Sequence, residues 1–159
     1  MAGSEYQRLA HGAAAGSPPR LEVASELAAA AAVRELVRSR VASSAHDLAL
    51  GGLAVTLAES CIAGGLGATI QPPMSKPGPA PASWDWGVLF GETSGRYLVS
   101  VAPDRAVEFG EVCEHQGVPG VRLGVVGGDS IVIAGMAEIS LEGATMAYSG
   151  ALAAVMDHI

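Results

Sequence analysis

Between Leu21 and Arg40 apolar residues recur near a 3.6-residue period: Leu21, Ala24, Leu27, Ala28, Ala31, Leu36 and Val37. The run is rich in alanine, the strongest helix former, so it predicts a helix. A short extended stretch follows through Ala42 to Leu48. Then a Gly-Gly pair opens a second helical pattern, from about Gly52 to Ala63. There Leu53, Leu57 and Cys61, with Ala54, Ala58 and Ile62, form one apolar stripe. Gly64 and Gly65 end it, as glycine readily takes the left-handed conformation after a helix.

The second half of the chain changes period more often. "LGATI" (66–70) reads as a strand, and residues 71–83 hold five prolines and no apolar rhythm, which predicts a mobile loop. Arg96 to Val101 has strand composition. Pro103 to Gly117 is a predicted helix with Pro and Asp104 at its start and Gly after its end. Val121–Val126 and Ser130–Ala134 read as two strands joined in a tight hairpin by Gly127-Gly128-Asp129. A helix from Leu141 to about Met156 closes the chain. No repeat of 20–50 residues is present.

This order predicts an α+β fold, a three-layer α/β/α domain with a mixed sheet. A doubly wound nucleotide fold is disfavoured, because no glycine triad directly follows a first strand with an acid about 20 residues on. The "GSPPR" breaker cluster (16–20) separates residues 1–20, read as a linker, from a single domain over 21–159.

Length and composition sharpen this picture. The 159 residues suffice for one core. Half are hydrophobic but only 4% aromatic, so the core must be built of Ala, Val, Leu and Ile. A net charge of −7 opposes a nucleic-acid surface, which needs clustered cations. The mild cluster of Arg34, Arg38 and Arg40 suits the last turn of a solvated helix. No apolar run is long enough to cross a membrane, and no basic-then-apolar leader is visible, so a cytoplasmic location is expected. Cys61 and Cys113 read as buried, reduced thiols; neither has a metal-ligand neighbour, and no metal site is expected.

Two places carry candidate chemistry. His46 and Asp47 precede the Gly51-Gly52 helix start, whose backbone N–H groups suit an anion. Asp47 is the helix cap or turn former of that junction, or else a ligand contact; His46 is a hydrogen-bonded structural residue or a titrating group near neutral pH. "GETSGR" (91–96) is a polar turn carrying Glu92, Thr93, Ser94 and Arg96, and its arginine fork, two hydroxyls and turn amides suit phosphate or ribose contact. The alternative is a solvated turn closed by a local Glu92–Arg96 pair.

Five segments in order carry a family resemblance: "AGSEYQRLAHG", "AHDLALGGLAVTLAESCIAGGLGA", "LFGETSGRYLVSV", "GVPGVRLGVVGGDSIVI" and "AYSGALAAVM". Together they resemble the synthetase subunit of phosphoribosylformylglycinamidine synthase, of the superfamily related to aminoimidazole ribonucleotide synthetase. In that family two homologous halves each join an N-terminal nucleotide-binding domain to a C-terminal α/β domain. This chain is similar to the last of the four parts, with the preceding linker.

The resemblance implies an ATP-dependent carbon–nitrogen ligase of purine biosynthesis. It amidates formylglycinamide ribonucleotide, using ATP and magnesium, with ammonia from a glutaminase subunit. The catalytic histidine, the magnesium-binding acids and most ATP contacts lie in other parts, so no catalytic residue is carried over. The isolated chain is expected to fold, to bind no cofactor alone and not to turn over. Its partners would be the preceding nucleotide-binding domains and the glutaminase subunit.

In the family's first half the position of "GETSGR" touches the ribonucleotide. Glu92, Thr93, Ser94 and Arg96, with Asp47, Gly51 and Gly52, are therefore the ligand-facing candidates. The family's "SDGG" is "ALGG" here, with Ala49 and Leu50 replacing Ser and Asp. Leu50 at that place is either a buried packing residue or an exposed one that has lost a cap, and the second is expected. Two alternatives stand beside this assignment. One is the C-terminal domain of an aminoimidazole ribonucleotide or selenophosphate synthetase, against which "GSEY" and "GETSGR" argue. The other is a non-catalytic assembly module, which the Ala-rich helix also fits.

Overall fold

A computed structural model describes residues 3–12, 15–71 and 86–156, the last range without the side chains of 152–155. The elements in chain order are α1 (Glu5–His11), α2 (Val23–Arg38), β1 (Ala42–Asp47), α3 (Gly52–Gly64), β2 (Ala68–Ile70) and α4 (Trp86–Phe90). They continue with β3 (Tyr97–Val101), a 3₁₀ turn (Pro103–Arg105), α5 (Ala106–His115), β4 (Gly124–Val126), β5 (Ser130–Ile133), β6 (Ala137–Ser140) and α6 (Leu141–Met156). The class is α+β with a mixed sheet, as the sequence predicts. Of the proline-rich stretch, residues 72–83 lie outside the described residues.

The chain divides into two compact units, residues 1–57 with 74–122 and residues 58–73 with 123–159. In the first, β1 pairs antiparallel with β3 from Ala42↔Val101 to Asp47↔Tyr97, with an irregularity between Ala42 and Ser44. A lone two-stranded ribbon is marginal in water, and here α2 packs on β1. The buried residues of α2 are Ala32 and Leu36; of the stripe read from the sequence, Leu27 and Val37 are exposed. Burying a leucine contributes about 1.5–3 kcal/mol. α5 also packs on α2, and Gln116 Nε2 donates to Glu35 Oε2 at 2.8 Å.

The end of α2 matches the expected solvated cation cluster. Arg34, Arg38 and Arg40 are exposed, and Arg40 takes a left-handed φ of 58°. The Arg40 and Val41 N–H groups close the helix on the Val37 and Leu36 carbonyls at 3.1 and 2.9 Å. Cys113 of α5 is buried, as is Cys61 of α3; both are free thiols, and burial pushes each thiol pKa up.

The second unit holds the mixed sheet, in the order β4-β2-β5-β6. β2 runs antiparallel to β4 and parallel to β5, and β5 pairs antiparallel with β6. This corrects the expected hairpin: β4 and β5 are not partners, because β2 lies between them. The 127–129 connection spans two strand spacings, about 10 Å, which three residues can reach. It is fastened to the start of β2, with Gly127 N–H on Gly67 O at 2.8 Å and Gly67 N–H on Gly128 O at 2.9 Å. Turn glycines alone could not reveal a strand arriving from 60 residues upstream. β6, α4 and α1 are likewise elements the sequence pattern did not predict.

Candidate functional site

The junction between β1 and α3 is built from two glycines in left-handed conformation, Gly51 at φ 78° and Gly52 at φ 61°. A Cβ on Gly52 would stand 2.7 Å from the Gly91 carbonyl oxygen and 2.8 Å from that of Leu89. A Cβ on Gly51 would stand 2.7 Å from Val55 Cβ. Both positions therefore need glycine for conformation and for close approach. One turn into α3, the buried Thr56 hydroxyl donates to the Asp47 carbonyl at 3.1 Å and ties the helix back to the strand end. Leu50, just before the pair, is 73% exposed, which agrees with the exposed alternative and not with core packing.

The anion in front of this helix start is the chain's own. Gly51 N–H donates to Glu92 Oε1 at 2.8 Å, and the N–H of Glu5 donates to the same oxygen at 3.0 Å. Bonds to an ionised acceptor are the stronger kind. Capping falls to Glu92, 41 residues away, and not to Asp47. Among the described residues the Asp47 carboxylate makes no hydrogen bond to the start of α3.

Arg96 is spent on backbone. Its Nη1 donates to Gly91 O and its Nη2 to Val88 O, each at 3.1 Å. The last carbonyls of a helix lack internal partners, and the guanidinium supplies donors at the end of α4. Burial lowers the Arg96 pKa from its ordinary value. The local Glu92–Arg96 pair is therefore absent, since each group answers a backbone need. Leu48 N–H on Arg96 O at 2.9 Å joins the same turn to the strand end. Between the two anchors, Thr93 and Ser94 are exposed at the tip of the turn.

The structure thus gathers Gly51, Gly52, Glu92 and Arg96 into one backbone-bonded knot, with Thr93 and Ser94 on its outside. Asp47 belongs to a neighbouring feature. With Val33, Ala45, His46 and Tyr97 it lines a shallow groove of about 480 Å³. The Asp47 side chain is 69% exposed there, 3.5 Å from His46 Nδ1, which lies 2.8 Å from the Asp47 carbonyl oxygen.

Sequence reasoning missed α1 as a participant. Ser4, 2% exposed, caps α1 by accepting from Gln7 N–H at 3.3 Å, and Gln7 Oε1 reaches back to Gly3 N–H at 2.9 Å. The S-x-x-Q of "SEYQ" is the sequence signature of such a cap, with Gln7 returning to the residue before Ser4. The Tyr6 ring stacks on Phe90 and Trp86 of α4, with centroids 4.5 and 5.5 Å apart. In a chain with two Trp, three Tyr and two Phe, this stack is a concentrated use of aromatic surface.

Among the described residues no three His, Cys, Asp or Glu side chains come together as a metal ion requires, and no helix is long and apolar enough to cross a membrane.

Residues 2–136 match the family described as AIR synthase related protein, C-terminal domain. A phosphoribosylformylglycinamidine synthase subunit PurL of Anaeromyxobacter dehalogenans is 40% identical over 98% of this chain. A PurL subunit of Moorella thermoacetica is 40% identical over 84% of it. These matches cover 21% and 17% of the two relatives, so the chain spans about a fifth of their length. Among solved structures, T. maritima PurL complexed with FGAR superposes with a TM-score of 0.62 at 22% identity, over 76% of this chain and 21% of that one. PurLQS from Thermotoga maritima gives 0.62 at 20%, over 90% and 24%; at such identities the likeness is one of fold. The chain belongs to the AIR synthase related protein family, as a C-terminal domain of that family.

Proposed function

We propose that this domain serves as the last C-terminal α/β domain of a phosphoribosylformylglycinamidine synthase synthetase subunit. The single observation that carries the reading is 40% identity to PurL across 98% of the chain, confined to about a fifth of the relative. In this reading residues 1–20 are the linker from a preceding nucleotide-binding domain and residues 21–159 are one synthetase-type domain. The whole enzyme, in the cytoplasm, uses ATP and magnesium to amidate formylglycinamide ribonucleotide with ammonia from a glutaminase subunit. Catalytic groups belong to its other domains. Here Glu92 and Arg96 shape the turn, and the Thr93 and Ser94 hydroxyls face a ligand's phosphate or ribose.

The test is a chimera in which this chain replaces the matching last fifth of the A. dehalogenans subunit. Ribonucleotide-dependent ADP release is expected from the chimera and not from the isolated chain. A folded chimera without activity, or release by the isolated chain above a buffer control, overturns the reading. Within an active chimera, Thr93→Ala with Ser94→Ala should raise a substrate KM roughly threefold to tenfold, the scale of one or two hydrogen bonds, without moving the urea midpoint.

A further inference from the structure

The geometry points to α1 as a strap that sets the start of α3 through Glu92. Three observations meet in the first unit. α1 is docked at its N-terminal end: Ser4 is 2% exposed, and the Tyr6 ring lies at 4.5 Å from Phe90 and 5.5 Å from Trp86. One carboxylate oxygen, Glu92 Oε1, accepts from both Glu5 of α1 and Gly51 at the helix start. Gly51 is buried and, among the described residues, its N–H has no other acceptor.

The physical consequence runs through that shared oxygen. A glutamate side chain has three rotatable bonds, and fixing it costs conformational entropy. Two donors from different parts of the chain hold the carboxylate where neither alone would hold it as firmly. When α1 lifts, Glu92 keeps a single tether and gains freedom, and the Gly51 N–H loses occupancy of its acceptor. A buried donor left without a partner is costly, so the left-handed Gly51-Gly52 start becomes the least protected part of α3. Docking of a seven-residue helix is thereby read out 41 residues before Glu92, at the junction that the site is built on. This coupling is a property of the chain's own contacts and holds whether or not the proposed enzymatic role is right.

Amide hydrogen exchange on the full chain tests it, read at α1, at Gly51 and in the interior of α3. Tyr6→Leu keeps apolar bulk and removes the ring stack without touching Glu92 or Gly51. Exchange at α1 and at Gly51 should both quicken, roughly tenfold or more at Gly51, while the α3 interior from Leu57 to Ile62 holds its rate. In a Glu92→Ala background Gly51 should already exchange fast, and Tyr6→Leu should add less than twofold. Release of α1 with Gly51 unchanged overturns the proposal, as does an undiminished Tyr6→Leu effect when Glu92 is absent. Collapse of protection throughout α3 in Tyr6→Leu also overturns it, because α1 would then hold the whole unit and not the junction.

Discussion

Of the chain's three Gly-Gly pairs, Gly51-Gly52 and Gly127-Gly128 are glycine for different reasons. Gly51-Gly52 is buried, left-handed at both residues, and crowded by the Gly91 and Leu89 carbonyls and by Val55. Gly127-Gly128 is exposed, with φ 148° and 78°, and an added Cβ at either place meets nothing within 4 Å. The first pair answers to conformation and space together, the second to conformation alone. Identical dipeptides therefore differ in how much of the surrounding structure depends on them.

The sharpest way to break the comparison is Gly52→Ala. The left-handed backbone costs about 1–2 kcal/mol, and the new Cβ presses on the Leu89 carbonyl and on that of Gly91, which Arg96 holds, adding about 1–3 kcal/mol of overpacking. A loss of roughly 3 kcal/mol or more is expected in a urea titration. A loss under 1 kcal/mol would show that the α4 end can move aside.

Gly51→Ala should cost somewhat less, about 2–4 kcal/mol, since its obstacle is a side chain. Val55 is 37% exposed, so trimming it is cheap. The double variant Gly51→Ala with Val55→Ala removes the Cγ overlaps but leaves the Cβ of position 55 at 2.7 Å, so it should recover part of the steric cost and stay above the roughly 1–2 kcal/mol of the backbone alone. No recovery in the double variant would place the strain elsewhere in the junction.

At the other pair, Gly128→Ala should lose about 1–2 kcal/mol, the backbone cost with no overlap to add. A loss as large as that of Gly52→Ala would erase the distinction between the pairs. The smallest effect belongs to the positions before Gly51. Ala49→Ser with Leu50→Asp restores the residues usual in the family. With Leu50 73% exposed, the change should be neutral or stabilise by up to about 1 kcal/mol, the scale of a helix cap. A midpoint well below the parent's would mean that Glu92 cannot share the junction with a second carboxylate.

The site was half legible. "ALGG" and "GETSGR" were each visible as special stretches, and the residue types suggested anion handling. Their meeting was not visible, because Glu92 could equally have paired with Arg96, four residues on and within easy reach. Backbone donors and carbonyls at the ends of α3 and α4 claimed the two charges instead, and such claims have no signature in side-chain identity. Asp47 shows the same limit: it stands where a cap belongs, yet its carbonyl meets α3 and its carboxylate lines the groove.

Local order was fixed by the sequence itself, for a physical reason. The periods of α2, α3, α5 and α6, and the composition of β1, β2 and β3, are set by neighbours within a few residues. The α1 cap was equally present in "SEYQ". Tertiary structure alone decided what lies beside what. β2 came between β4 and β5 although glycine chemistry favoured a hairpin, and β6 was completed by pairing with β5. A segment with the marks of a linker became a docked helix once Tyr6 found Phe90 and Trp86. The placement of β2 and the docking of Tyr6 depend on partners about 55 to 85 residues away, and short-range patterns of apolar and polar residues carry no term for them.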